Sequence, residues 1–122
     1  MAEPDFQVTG HATVLHVKDM ATALAFYRDR LGFAVTFTWG EPRYVCLCLD
    51  DAAIHLNSYV PPAGPSHVCI FCEGIDALYA QLMARGVTIV EPIGDRAYGM
   101  RDFAITDPDG HRLEFGQGIS DN

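Results

Sequence analysis

Basic side chains are scarce in this sequence. Eight Lys and Arg stand against sixteen Asp and Glu, a formal charge of −8. A protein that tracks phosphates needs the opposite balance, so the charge argues against a nucleic-acid partner. Long apolar runs are also missing. No stretch approaches the roughly 18–20 apolar residues of a membrane span, and "MAEPDFQVTG" at residues 1–10 has neither the basic flank nor the apolar core of a secretion signal. The expectation is a cytoplasmic chain with no membrane partner. Cysteine is limited to Cys46, Cys48, Cys69 and Cys72. "CLC" and "CIFC" raise the idea of zinc or a redox pair, but both read as strands: Cys69 and Cys72, three apart, point to opposite faces, while Cys46 and Cys48 share a face as neighbouring core positions. All four are therefore expected to be buried free thiols, behaving as small hydrophobes.

What is present suits one domain of 122 residues with a core of its own. Residues 11–17, "HATVLHV", alternate as a strand. Asp19 is placed to cap a helix in which Met20, Leu24, Tyr27 and Leu31 recur at helical spacing, with Gly32 at its end. "FAVTFTW", "RYVCLCLD" and "AAIHLNSY" read as three more strands, and "PPAGP" at 61–65 as a stiff linker. The order then restarts. "SHVCIFC" is a strand, and "IDALYAQLMARG" a helix with Ile75, Tyr79, Leu82 and Met83 on one side. "VTIVEP" is a strand, "IGDRAYG" a loop, and "MRDFAIT" and "HRLEFG" a hairpin around the turn signal "DPDG".

The two halves superpose. A shift of 55 lays Ala12 on His67 and Met20 on Ile75, a shift of 54 lays Gly32 on Gly86, and a shift of 59 lays His55 on Glu114. Each half is too small to stand alone, so module A (about 8–60) and module B (about 66–118) are expected to share a core as an α+β fold of two tandem βαβββ units.

On "VKDMATALAFYRDRLGF", "IDALYAQLMARGV" and "YGMRDFAITDPDGHRLEFGQ", the chain resembles the vicinal-oxygen-chelate superfamily. That superfamily holds glyoxalase I, extradiol dioxygenases, fosfomycin-resistance enzymes and bleomycin-resistance proteins. The third segment is most similar to the bleomycin-resistance branch. The resemblance implies mixed sheets curled into a cup, with metal ligands on the first and last strand of each module. Carried onto this sequence, those positions are Ala12, His55, His67 and Glu114, the pairs the repeat also aligns.

Two imidazoles and one carboxylate suit Zn²⁺, Fe²⁺, Mn²⁺ or Ni²⁺. Ala12 is the departure, because the metal-dependent relatives keep a ligand in that strand. His11 is one residue off and faces the other way. Each residue also has a plain reading: His55 as a hydrogen-bonded pocket histidine, His67 as a partly exposed strand start, Glu114 as a carboxylate on the wet face of a sheet. Trp39, Tyr44, Tyr98, Met100 and Phe103 are candidates for an apolar or stacking wall, with Arg101 and His16 as polar contacts. Glu41, Asp95 and Asp102 would add negative charge near its mouth.

Two functions follow. One is a metal-free binding protein of the bleomycin-resistance type, an antibiotic-resistance role, which sequesters an aromatic or cationic compound in a cleft at a homodimer interface. The other is a metal-dependent lyase or isomerase of glyoxalase type, or a dioxygenase. His55, His67 and Glu114 would then hold the metal, and Glu114 would serve as the catalytic base.

Overall fold

The structure is a computed structural model that describes residues 5–119. Its elements run β1 (Thr13–His16), α1 (Met20–Leu24), β2 (Ala34–Trp39), β3 (Tyr44–Leu49) and β4 (Ala52–Asn57). The second half repeats them as β5 (His67–Phe71), α2 (Ile75–Ala84), β6 (Ile89–Asp95), β7 (Met100–Thr106) and β8 (Arg112–Gly118). Two four-stranded mixed sheets result, ordered β1-β4-β3-β2 and β5-β8-β7-β6, with β1–β4 and β5–β8 parallel and the other pairs antiparallel. Among the described residues no helix is long and apolar enough to cross a membrane.

Register makes the repeat explicit. Val14 lies opposite His55 and Cys46 on the other side of it, while Cys69 lies opposite Glu114 with Ala104 beyond. The shifts of 55 and 59 hold together, because they carry the pair Val14–His55 onto the pair Cys69–Glu114.

Alternation gives each sheet one face toward its helix. Leu15, Val45, Leu47, Ile54 and Leu56 in the first sheet, and Val68, Phe103, Ile105, Leu113 and Phe115 in the second, are buried in one cluster with residues of both helices. The opposite faces, carrying His55 and Glu114, are not covered by a helix.

The first helix departs from the expected regular α spacing. Asp19 does cap it, accepting from the Thr22 amide at 2.9 Å and hydroxyl at 2.7 Å. After Leu24, however, the chain continues as a π-helix over Ala25–Arg30. The wider turn brings the consecutive aromatics Phe26 and Tyr27 both into the core, which a 3.6-residue period cannot do as well. In α2, Met83 is exposed and Leu78 packs inward in its place. The stretch read as the loop "IGDRAYG" is strand as far as Asp95, because Pro92 and Gly94 sit in an edge strand whose register shifts twice.

The modules are joined through the β7–β8 turn. Asp107 Oδ1 accepts from the amides of Asp109 (2.9 Å) and His111 (2.8 Å), and Gly110 supplies the left-handed residue at φ +83°. Asp107 Oδ2 accepts the Tyr27 hydroxyl at 2.7 Å, and Asp109 accepts the Lys18 amide at 3.0 Å. Buried His111 takes the Ser66 amide on Nδ1 at 2.9 Å and lies 2.8 Å from the His16 carbonyl through Nε2. An amide can only donate, so Nδ1 is the acceptor and the ring proton sits on Nε2. Burial, the charge of Asp107 and the hydrogen bond to it all push the Tyr27 phenol far above its ordinary pKa.

Candidate functional site

The uncovered face of the first sheet is aromatic. Trp39 ends β2 and stacks on Phe37, centroids 6.5 Å apart at 14°, with 64% and 54% of their surfaces exposed. Two residues apart on a strand, they share a face, although a bulge near Val35 shifts the register just before them. Tyr44, opposite Trp39 on β3, is half-buried and its hydroxyl lies 2.9 Å from His55 Nδ1, the rings meeting edge to face. Val14, Cys46 and His16 share this face by register.

The uncovered face of the second sheet is charged. Tyr98 and Arg96 both donate to Asp102, which is buried; the Arg96 Nε bond is 2.7 Å. Burial opposes ionisation of Asp102, yet those two hydrogen bonds and the guanidinium charges of Arg96 and Arg112 outweigh it and hold the carboxyl below its usual range. The same bond to Asp102, with lesser contributions from burial and negative charge, pushes the Tyr98 phenol up to about 12. Arg112 donates to Glu91 and, at 3.4 Å, to Glu114, whose Oε1 is 3.5 Å from His67 Nε2. Cys69 Sγ is 3.9 Å from that same nitrogen.

The sequence candidates thus divide. His67 and Glu114 are together, and Cys69 completes with them the one group of three metal-capable side chains found among the described residues, their ligand atoms all within 4.8 Å. His55 is outside it, on the other sheet with Tyr44. Met100 and Tyr98 lie on the Glu114 side, Met100 packed over Gly116. Phe103 does not belong to the wall. It is fully buried on the helix side between Tyr79 and Phe115. Arg101 likewise faces α2, bonded to Asp76 at 2.7 Å and Asp95 at 3.0 Å. Asp95 and Asp102 are therefore spoken for by arginines, and Glu41 is exposed in the β2–β3 turn.

The four thiols expected to be buried are free but not buried: Cys46, Cys48 and Cys72 are half-buried and Cys69 is exposed. The signal for Cys69 was its spacing, two positions from His67 on one strand. Phe37 and Arg112 were passed over as well, and both share a face with residues that were named.

A groove of about 950 Å³ separates the modules, with Leu31, Val68 and Phe115 on its floor and Asp50, Asp51 and Glu73 among its lining. It reaches Cys69 but not Trp39, Tyr44, His55 or Glu114. Those four stand on open sheet faces.

This chain belongs to the Glyoxalase/Bleomycin resistance protein/Dioxygenase superfamily, whose family model matches residues 9–115. It is 31% identical over 127 residues to a "Bleomycin resistance protein" of Geobacillus stearothermophilus, covering 86% of this chain and 93% of that one. It is 30% identical over 119 residues to "Glutathione transferase FosA" of Serratia marcescens, covering 88% and 79%. The crystal structure of TnmS3, described as an antibiotic binding protein from Streptomyces sp. CB03234, superposes with a TM-score of 0.75 at 22% identity, over 93% and 99% of the two chains, and shows the shared fold.

Proposed function

We propose that the protein binds and sequesters a flat aromatic or cationic organic compound, without chemistry, in a cleft built by two copies of the chain. The Phe37–Trp39 stack carries the reading. Two large aromatics held parallel and mostly solvent-exposed on a helix-free sheet face are an unoccupied stacking platform. One chain leaves that platform open. A second copy placing its Glu114 face over it would enclose a cavity with an aromatic wall on one side and Glu114 on the other, and a homodimer is the simplest such partner. The similarity to a bleomycin resistance protein supports the same reading, as does the net charge of −8. Titration of the protein with planar cations and with planar neutral compounds, followed by Trp39 fluorescence, tests it. Saturable quenching by the cations, weakened by salt, is expected; no quenching by any of them would contradict it.

A second reading, a divalent-metal-dependent lyase, isomerase or dioxygenase, is favoured by the 3.5 Å approach of His67 and Glu114. These two fit a metal. His55 joins them only if another chain brings it. A bound ion would supply Lewis-acid activation of a substrate oxygen pair, and Glu114 would hold or move the proton.

A further inference from the structure

Parallel pairing of β5 with β8 sets Cys69 directly across from Glu114, and strand alternation puts His67 on the same face two residues before Cys69. The approaches that result, 3.5 Å for His67 Nε2 to Glu114 Oε1 and 3.9 Å for Cys69 Sγ to His67 Nε2, resemble the edges of a tetrahedron around a small cation. Bond lengths of about 2.0–2.1 Å to nitrogen and oxygen and about 2.3 Å to sulfur give edges of about 3.3–3.6 Å. Those two separations are within a few tenths of an ångström of these, and all three ligand atoms lie within 4.8 Å of one another, so a bound ion would draw Cys69 and Glu114 together by a side-chain rotation. Glu114 is also free to turn, since its contact with Arg112 is long and Arg112 holds Glu91 more closely.

We infer that a single chain binds a thiophilic divalent cation, with Zn²⁺ as the best fit, through Cys69 Sγ, His67 Nε2 and one Glu114 oxygen, leaving a fourth position open. The thiol makes the choice of metal. A thiolate, an imidazole and a carboxylate favour Zn²⁺ over Mg²⁺ or Mn²⁺, which prefer oxygen throughout. Binding releases the Cys69 proton to solvent, so affinity rises with pH. The site shares His67 and Glu114 with the metal-dependent reading above but needs neither His55 nor a second chain. Within one chain it lies on the other sheet from the Trp39 platform, and in the proposed dimer it would sit on the wall that faces the partner's platform. The repeat-related positions of the first sheet, Ala12, Val14 and His55, offer one ligand where this face offers three.

Co²⁺ serves as the probe. Reduced, metal-free full-length protein titrated with Co²⁺ should take up one ion per chain and develop a sulfur-to-cobalt charge-transfer band in the near ultraviolet, reversed by Zn²⁺. Cys69→Ser should abolish the band and weaken Zn²⁺ binding by about tenfold or more. Cys69 is exposed, and an unchanged melting temperature would show that this variant folds. Cys72→Ser and His55→Ala should keep both the band and the affinity. A band that survives Cys69→Ser, uptake without any band, or loss of the band in His55→Ala would each overturn the inference. The last would reassign the metal to a site shared between chains.

Discussion

Tyr27, in the π-helical turn of the first module, donates its hydroxyl at 2.7 Å to Asp107, in the β7–β8 turn of the second. Both residues are buried, and they are 80 positions apart in sequence. The bond therefore fastens one half of the repeat to the other. Removing only the hydroxyl, as Tyr27→Phe, leaves a buried carboxylate oxygen short of a donor. The expected cost is about 1.5–3 kcal/mol, the range for hydrogen bonds to charged groups, read from denaturant unfolding. A loss under 0.5 kcal/mol would show that this bond does not fasten the modules.

His111 makes a second fastening. His111→Ala removes a fully buried ring and strands both the Ser66 amide and the His16 carbonyl. A destabilisation of about 2–4 kcal/mol is expected from cavity and unpaired groups together. Hydrogen exchange should report faster opening at Ser66, and an unaltered Ser66 amide would contradict the assignment.

Acid should loosen the second sheet through Asp102. Its folded-state pKa is depressed below the ordinary carboxylate value, so its contribution to stability is present above the unfolded pKa of about 3.9. It is lost as pH falls through the lower folded value. Melting temperatures recorded between neutral pH and pH 2 should fall at the acid end. In Asp102→Asn the melting temperature should start lower at neutral pH and depend less on acid. A parallel curve for the variant would mean that other carboxylates govern the acid limb.

Much of this arrangement was legible in the chain because strand and helix periodicities repeat at fixed offsets. Laying His55 on Glu114 and Ala12 on His67 requires Val14 to match Cys69, and the observed pairings place those two residues alike. What failed did so for local reasons. The sequence reading places Met100 and Phe103 in the wall with Arg101 as a polar contact, yet Met100 and Arg101 are adjacent on β7 and must point to opposite faces. Phe103 follows Arg101 to the helix side, where its ring stacks on Phe115. Cys69 was treated as a hydrophobe, but β5 is an edge strand whose outward positions, His67, Cys69 and Phe71, have no covering element. The π-helix left no mark in the spacing of Met20, Leu24, Tyr27 and Leu31. Only the adjacent pair Phe26–Tyr27, both needing burial, hinted at it.

Trp39→Ala should leave stability within about 0.5 kcal/mol, as an exposed side chain on an open face contributes little to the core. Its effect should fall on ligand affinity, weakening a planar cation by about tenfold, the scale of one lost stacking contact. Equal affinity in the variant, measured by calorimetry since the fluorophore is gone, would remove Trp39 from the site.

A mixed-chain experiment asks most directly whether the cleft is built by two copies. Trp39→Ala and Glu114→Ala chains are each expected to bind a planar cation weakly as pure homodimers. Mixed, unfolded and refolded together, they should form heterodimers in which one cleft carries both changes and the other carries neither. The account predicts that wild-type affinity returns, at one tight site per heterodimer. If mixing restores no tight binding while heterodimers are shown to form, Trp39 and Glu114 do not meet across two chains, and the proposed cleft is wrong.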